Sequence, residues 1–224
     1  MSTPRFGIIG DYNPTNPTHI ATDAALNAAG ACSIEWLATD ESHNYARFDG
    51  LICSPASPYK SERGALNGFA YGRKNKVPLL GTCGGFQHLV LEFARNVAGV
   101  KDAAHQENDP YASVLFLSRL ACSLAGKKMN VAIEKGTLAH RCYGTEHAEE
   151  SYYCDFGLNS EYRGVLENAG LVVSGCDSEG EVRVVELPGH PFFVGTLFVP
   201  QMRTAHPLIA GLYSAAALRS AHAA

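Results

Sequence analysis

The chain lacks any apolar stretch of the roughly 20 residues that a membrane-spanning helix needs. Its first residues, MSTPRFGIIG, also lack the basic segment and apolar core of a secretory signal. An excess of one charge is absent as well, because 18 Lys and Arg stand against 22 Asp and Glu, for a formal net charge of -4. This balance gives no electrostatic reason to expect a nucleic acid or a membrane as partner. We therefore expect a cytoplasmic protein whose ligand is a small molecule.

Closely spaced cysteine pairs are missing too. Seven cysteines, an odd number, are scattered without a CxxC motif, which suits reduced thiols better than a disulfide framework or a zinc site. We expect neither a metal nor a cofactor. Whether Cys83 and Cys154 approach each other is open at this level. The seven are Cys32, Cys53, Cys83, Cys122, Cys142, Cys154 and Cys176.

What the chain does contain is enough apolar sequence for one sizeable core, and no repeat or linker divides it. We expect a single domain over residues 1–224. In the first half, strand patterns at RFGIIG, SIEWLAT, FDGLICS and VPLLGTC alternate with helical patterns. This alternation predicts an α/β fold with a doubly wound, mainly parallel central sheet flanked by helices.

The second half has a different pattern, with short strands separated by turn signals. We expect a helix in SEYRGVLENAG, a last helix in HPLIAGLYSAAALRSA, and a solvated loop at HAEE. The remaining segments predict β-strands added to the same core. They are ACSLAG, MNVAIE, YYCDFGLN, LVVSGCD, EVRVVELP and FFVGTLF.

The most informative stretch is VPLLGTCGGFQH, residues 77–88, where an apolar run ends at Cys83 and a helical pattern begins. Gly81 and Gly85 flank the cysteine in a G-x-C-x-G pattern, the cysteine form of the nucleophile elbow, where small neighbours allow a sharp strand-to-helix turn. The helix N-terminus favours a thiolate and can stabilise an oxyanion. On the motif alone, a nucleophile and a small buried cysteine are about equally good explanations.

Longer segments favour the nucleophile. They are VPLLGTCGGFQHLVLEFARNVAGVKDAAHQENDP, KGTLAHRCYG, LNSEYRGVLENAGLVVSG, ELPGHPFFVGTLF and AHPLIAGLYSAA. In this order, and over nearly the whole chain, the sequence resembles the glutaminase domain of CTP synthases, a branch of the class I (triad) glutamine amidotransferases. The resemblance implies the flavodoxin-like fold of that class.

The resemblance also implies roles for individual residues. Cys83 corresponds to the nucleophile, the backbone of Gly84 and Phe86 lies along the substrate, and Glu107 matches a substrate-binding glutamate. It does not imply CTP synthesis, because that reaction needs a synthetase domain with a phosphate-binding loop, and no G-x-x-x-x-G-K-[ST] motif is present.

Several positions depart from the family pattern. Val199 and Gln201 stand where the family has its catalytic His and Glu, so the standard general base is missing. Asp155 stands where the family has an arginine that binds the glutamine carboxylate, and an acidic group there repels a carboxylate and favours an amine. Pro55 and Ala56 replace a glycine pair in the oxyanion loop. Proline has no N–H, so Ala56 or a neighbour must supply the donor.

Other residues are candidates for the missing roles. His105, His88 and His19 are possible replacement bases, although each alone is more often a packing or surface histidine. His190 and His206 match ordinary family positions and are expected to be structural. A further segment, Tyr152, Tyr153 and Cys154, precedes Asp155 and either lines a substrate pocket or packs as part of a strand.

Three functions follow, in order of preference. The first is a stand-alone Cys-dependent hydrolase or transferase that cleaves an amide or related C–N bond in a small molecule other than free glutamine, with substrate bound by Glu107, Asp155 and Tyr153. The second is a catalytically inactive ligand-binding or regulatory protein, favoured by the loss of His and Glu. The third is a conventional glutaminase subunit. In each case, a synthetase partner or a homo-oligomer is possible.

Overall fold

The computed structural model describes residues 3–223 and is built around a nine-stranded sheet. The strands in this range are β1 Arg5–Ile9, β2 Ser33–Leu37, β3 Gly50–Cys53, β4 Leu79–Thr82, β5 Ala104–His105, β6 Leu115–Arg119, β7 Lys128–Ile133, β8 His147–Ser151, β9 Phe156–Leu158, β10 Val172–Cys176, β11 Val182–Glu186 and β12 Phe193–Thr196. The α-helices are α1 Pro17–Ala29, α2 Glu62–Lys74, α3 Gly84–Asn96, α4 Leu138–Tyr143, α5 Arg163–Asn168 and α6 Pro207–Ala223.

The large sheet has the strand order β2-β1-β3-β4-β12-β11-β10-β7-β8. The pairs from β2 to β12 are parallel, and the pairs from β12 to β8 are antiparallel. A small sheet, β5-β6-β9, lies apart from it. The expected α/β class, with a parallel centre and added strands from the second half, is confirmed. Because β1, β3 and β4 are parallel, their carboxyl ends meet at one edge, where open α/β sheets bind ligands.

Some expected elements of the second half are wrong. ACSLAG forms turns, and the strand of that region is the preceding β6. HAEE is not a loop but part of β8, which pairs with β7. Its Glu150 is buried because Tyr143 and His206 both donate hydrogen bonds to the carboxylate, at 2.7 and 3.0 Å. His206 is 56 residues away in sequence, so the local charge pattern does not show that Glu150 has this buried partner.

Strand β9 is also shorter than expected, since only Phe156–Leu158 of YYCDFGLN pairs in a sheet. Helix α4 was not expected at all. It has only six residues, too few to show helical periodicity, and Thr137 caps it by accepting a hydrogen bond from the His140 N–H. No helix in the described part of the chain is long and apolar enough to span a membrane.

The turn between β4 and α3 depends on glycine. Cys83 has φ 52°, a left-handed conformation that is uncommon outside glycine. A Cβ on Gly85 would lie 2.1 Å from the carbonyl oxygen of Cys53 on β3, and one on Gly81 would lie 2.9 Å from the carbonyl oxygen of Gly85. Helix α3 is also held against α2 by two hydrogen bonds from Arg73 to the buried Glu92 carboxylate.

We predict that Gly85→Ala destabilises the fold because its methyl group collides with the buried backbone of β3. Overpacking of this kind costs about 1–3 kcal/mol, so the midpoint of urea unfolding should fall. Gly164→Ala is the matched control, since Gly164 lies on α5 with no atom within 4 Å of an added Cβ. It should leave stability unchanged or raise it slightly. Equal midpoints for the two variants would contradict the close packing at the turn.

Candidate active site

A cavity of about 280 Å³ opens beside Cys83 at the carboxyl edge of the parallel strands. It brings together Ala56, Cys83, Glu107, Tyr153 and Asp155, which the sequence had placed in one site. The remaining residues that line it are Asn16, Pro17, Thr18, Pro55, Ser57, Gln87, Cys154 and Phe156. Separate segments of the chain, distant in sequence, therefore form this one cavity.

Cys83 lies at the end of β4 and caps the start of α3. Its backbone N–H donates to the Thr196 carbonyl on β12 at 2.9 Å, which fixes the turn to the neighbouring strand. Its side chain is 7% exposed and lines the cavity. The N–H groups of Gly84 and Phe86 belong to the first turn of α3 and have no acceptor within the helix, so they add positive potential beneath the sulfur. The Phe86 side chain itself is buried.

The Cys83 sulfur meets the sulfur of Cys154 as a disulfide, with the two Cα atoms 6.0 Å apart. This corrects the expectation that all seven cysteines are reduced thiols; the other five are free. The sequence could not show the pairing because the two residues are 71 positions apart. The Cys154 sulfur also lies 3.0 Å from the Leu197 carbonyl oxygen, to which the thiol form donates a hydrogen bond.

The loop after β3 forms the wall of the cavity next to the start of α3. Ala56 has φ 71°, a conformation that favours the glycine expected at this position, and the Ser57–Pro58 peptide bond is cis. Tyr59 Oη donates to the Ser54 carbonyl at 2.6 Å, and His19 Nε2 donates to the Pro55 carbonyl at 3.2 Å. Ala56 and its neighbours thus face the Cys83 sulfur from a loop that is anchored on both sides.

His19 therefore serves the loop rather than the cysteine. Its Nδ1 accepts a hydrogen bond from the Asn13 N–H at 3.0 Å while Nε2 donates to Pro55, so both nitrogens are occupied. The imidazole is buried, and this burial lowers its pKa. The neutral form that the two hydrogen bonds require is therefore also the one that burial favours.

His105 is occupied in the same way. Its Nδ1 accepts from the Glu107 N–H at 3.1 Å, so Nε2 carries the proton and donates to Gln87 Oε1 at 3.0 Å. Gln87 in turn donates to the Phe156 carbonyl at 2.8 Å. Burial, together with the neighbouring His88, lowers the pKa of His105 to about 3. His105 thus positions residues of the cavity wall.

His88 lies within the core behind the turn. Its Nδ1 donates to the Gly84 carbonyl at 2.9 Å, and its ring packs against those of Tyr59 and His105. Its Nε2 is buried without a hydrogen-bond partner among the described residues, and burial lowers its pKa. None of the three candidate histidines lines the described cavity.

Val199 and Gln201, which the sequence analysis matched to the family's His and Glu, also lie outside the residues that line the described cavity. Val199 is buried, and its N–H donates to the Ser151 carbonyl at 2.9 Å. Gln201 is buried and donates from Nε2 to Thr82 Oγ1 at 2.9 Å, next to the nucleophile in sequence. A valine and an amide have no group that accepts a proton near neutral pH.

The charges of the cavity have one sign. Glu107 and Asp155 are acidic, and no Lys, Arg or His is among the described residues that line it. Glu107 Oε2 is buried and has no hydrogen-bond partner within the described chain. Arg119 stacks on the ring of Phe156, one of the lining residues, at 5.2 Å, but it lines a different cavity. The arrangement favours a ligand with an ammonium group and disfavours one with a carboxylate.

Of the two interpretations of the segment Tyr152–Cys154, pocket lining holds for Tyr153 and core packing holds for Tyr152. Tyr153 is 41% exposed and lines the cavity, whereas Tyr152 is fully buried against Phe198 and belongs to the core. The sequence analysis missed Asn16, Thr18 and Gln87. The Asn/Pro loop directly after β1 could have indicated the first two, because it leaves the same sheet edge. Gln87 lies one helical turn after Cys83, which is the available signal for it.

Comparisons with known proteins give the relationships of this chain. Residues 19–198 match the family model described as glutamine amidotransferase class-I. The chain is 33% identical over 236 residues to CTP synthase of Methanothermobacter thermautotrophicus, covering 96% of this chain and 44% of that protein. It is 36% identical over 187 residues to CTP synthase of Natronomonas pharaonis, covering 77% and 34%. It thus spans less than half of these curated relatives.

Solved structures agree on the fold. The glutaminase domain of Trypanosoma brucei CTPS with bound acivicin superposes with a TM-score of 0.88 at 21% identity, covering 96% of this chain and 94% of the other. A glutamine amidotransferase from Thermotoga maritima has a TM-score of 0.60 at 13% identity, covering 90% of this chain and 77% of the other. The resemblance expected from the sequence is confirmed.

The buried histidines predict a pH dependence of stability. The folded protein keeps His105 neutral down to about pH 3, whereas the unfolded chain binds a proton below its ordinary pKa of about 6.5. Stability is therefore present above pH 6.5 and is lost as the pH falls, by at most about 1.4 kcal/mol per pH unit for each such group. His105→Gln should flatten the decline of the unfolding free energy between about pH 7 and pH 5.

Urea unfolding at a series of pH values measures this slope. His147→Gln, which changes an exposed histidine on β8, is the matched control and should keep the wild-type slope. The comparison concerns slopes, so a general loss of stability in His105→Gln does not affect it. An unchanged slope in that variant would show that His105 is not held neutral.

Proposed function

Because this chain belongs to the class I glutamine amidotransferase family and is related to the glutaminase domain of CTP synthases, we propose that it is a Cys83-dependent hydrolase or transferase. Its substrate is an amide, or a compound with a related C–N bond, in a small molecule that carries an ammonium group and lacks the carboxylate of glutamine. The observation that carries this proposal is the acidic cavity around the sulfur, with Glu107 and Asp155 and no cationic side chain among its described lining residues.

The cavity supports a simple reaction in the reduced protein. The Cys83 thiolate attacks the amide carbon, and the carbonyl oxygen becomes an oxyanion that accepts hydrogen bonds from backbone N–H groups at Gly84 and Ala56. The C–N bond then breaks, the leaving nitrogen takes a proton from water, and a second water hydrolyses the thioester. Glu107 and Asp155 bind the ammonium group, while Tyr153 covers the substrate.

Water takes the place of the usual histidine in this scheme. A positioned base contributes about 10²–10⁴ in rate, so turnover should be slow compared with a complete triad. A thiol tolerates this loss better than a hydroxyl does, because part of it is ionised near neutral pH. The same proposal includes a partner, which is either a synthetase-type protein that uses the released nitrogen or a second copy of the chain. The curated relatives contain the matching region within a longer chain.

A second candidate function is a binding or regulatory protein without turnover. It is favoured by Val199 and Gln201 and by the hydrogen bonds that engage His19 and His105 elsewhere. The acidic cavity would then bind an ammonium ligand and leave it unchanged. Both candidate functions involve a ligand with an ammonium group. They differ in whether Cys83 reacts with that ligand and is then regenerated.

The proposal predicts a reversed substrate preference. In reducing buffer, 4-aminobutanamide, which is glutamine without its carboxylate, should release more ammonia than glutamine. Cys83→Ala should abolish this release. Asp155→Asn should reduce the ratio of the 4-aminobutanamide rate to the glutamine rate by about tenfold or less. A tenfold change corresponds to about 1.4 kcal/mol, which is a reasonable upper value for one exposed charge. Ammonia release under single-substrate conditions measures all three.

Asp102→Asn is the matched control, because Asp102 is an exposed carboxylate that lines a different cavity. It should leave the ratio of the two rates unchanged. Ammonia release that persists in Cys83→Ala, or a wild-type preference for glutamine, would overturn the proposal. Calorimetric binding of 4-aminobutanamide without turnover would establish the second candidate.

A further inference from the structure

The Cys83 side chain has a thiol neighbour in place of an imidazole. The Cys154 sulfur is in contact with the Cys83 sulfur and lies 3.0 Å from the carbonyl of Leu197, two residues before the valine at the histidine position. Cys154 thus connects the nucleophile to the segment that has lost its base. The Cα separation of 6.0 Å lies within the 4.4–6.8 Å range of protein disulfides.

We propose that Cys83 and Cys154 form a reversible dithiol–disulfide pair that reacts with hydroperoxides, with Cys83 as the oxidised thiol and Cys154 as the resolving thiol. This inference goes beyond the hydrolysis proposed above. It assigns an oxidation site to two residues of the cavity, with a small hydroperoxide, such as hydrogen peroxide, as the oxidant.

The surroundings of the two sulfurs give them different roles. Cys83 lies at the N-terminus of the 13-residue helix α3, where N–H groups and the helix dipole favour a thiolate, and its sulfur lines a cavity of about 280 Å³ that admits a peroxide. Cys154 is 2% exposed, and its sulfur lies 3.0 Å from the Leu197 carbonyl oxygen, an acceptor that stabilises the protonated thiol once the pair is reduced. The more accessible thiolate is the one that a peroxide oxidises first.

The chemistry closes in two steps. The Cys83 thiolate attacks one peroxide oxygen, the O–O bond breaks, and the departing hydroxide takes a proton, which leaves Cys83 as a sulfenic acid and releases water. The Cys154 thiolate, formed as its proton passes to the leaving hydroxyl, then attacks the sulfenic sulfur. The S–O bond breaks, the S–S bond forms, and a second water leaves. Two thiols are oxidised and one peroxide is reduced; a dithiol reductant restores both thiols.

The remaining cysteines do not offer the same chemistry. Cys53 is fully buried and burial raises its pKa well above the usual value, which suppresses its thiolate. Burial also raises the pKa of Cys142. Cys122 is exposed, and neither it nor any other free cysteine is paired with a second thiol in the described chain. The pair in the cavity is therefore the site at which oxidation ends in an internal disulfide.

The test is peptide mapping of the whole protein after reduction, removal of the reductant and addition of one equivalent of hydrogen peroxide. Wild type should lose the mass of two hydrogen atoms. The tryptic peptide 77–95 should become linked to the peptide 142–163, and dithiothreitol should reverse the link. Because Cys142 and Cys154 share the second peptide, Cys142→Ser is the matched control and should keep the link.

Cys154→Ser tests the order of the steps, and its hydroxyl can still donate to the Leu197 carbonyl. In this variant the link should disappear, and dimedone, which traps sulfenic acids, should label Cys83 several-fold more than in wild type. Cys83→Ser should show neither the link nor the label at residue 154. Circular dichroism of each reduced variant checks that it is folded.

Two results would overturn the inference. The first is that wild-type protein forms no link between Cys83 and Cys154 after peroxide, and that dimedone labels wild type and Cys154→Ser equally. The other is a link that persists in Cys154→Ser through Cys142. Both readouts use the protein without an amide substrate, so failure of the proposed hydrolysis leaves them intact, and failure of the redox pair leaves ammonia release in reducing buffer unaffected.

Discussion

The backbone between β4 and α3 passes so close to β3 that a methyl group has no room. A Cβ on Gly85 would lie 2.1 Å from the Cys53 carbonyl oxygen, and the hydrogen bond from the Cys83 N–H to Thr196 ties the same turn to β12. These contacts hold Cys83 at φ 52° and present its sulfur at the sheet edge. Because the sulfur is held there, it lies next to the cavity, the N-terminus of α3 and Cys154.

The Cys83 sulfur is paired with a second cysteine, Cys154, whereas no histidine is among the described residues that line the cavity. The buried histidines support structure: His19 holds the Pro55 loop and His105 holds Gln87. Two residues before Val199, the Leu197 carbonyl oxygen lies 3.0 Å from the sulfur of Cys154, a residue that lines the cavity. A thiol next to a thiol exchanges electrons readily, whereas a thiol next to an imidazole exchanges protons.

Two acidic residues of the cavity also bear on which ligand it can bind. Glu107 has a buried oxygen without a partner in the described chain, and Asp155 lies on the segment between Cys154 and β9. An unpaired buried carboxylate oxygen is costly unless a ligand satisfies it. The acidic lining is therefore complementary in charge to a cation.

Much of the fold and part of the site could be predicted from the sequence because they depend on local patterns. The parallel strands, the helices α1, α2, α3 and α6 and the turn at Cys83 are encoded by apolar periodicity, caps and glycines. The predictions at HAEE and ACSLAG were wrong, and α4 was missed. In β8, Glu150 is buried by partners from α4 and from the segment before α6, and no local pattern contains them.

The sequence by itself determined that Cys83 stands at a strand-to-helix turn, since the apolar run, the flanking glycines and the helical pattern that follows can be read locally. Only the tertiary structure decided which groups surround its sulfur. The three candidate histidines are taken up by hydrogen bonds and core packing, and a cysteine 71 residues away is brought to the sulfur. The physical reason is that β-strands distant in sequence pair into one sheet, so contacts across its edge depend on the whole fold.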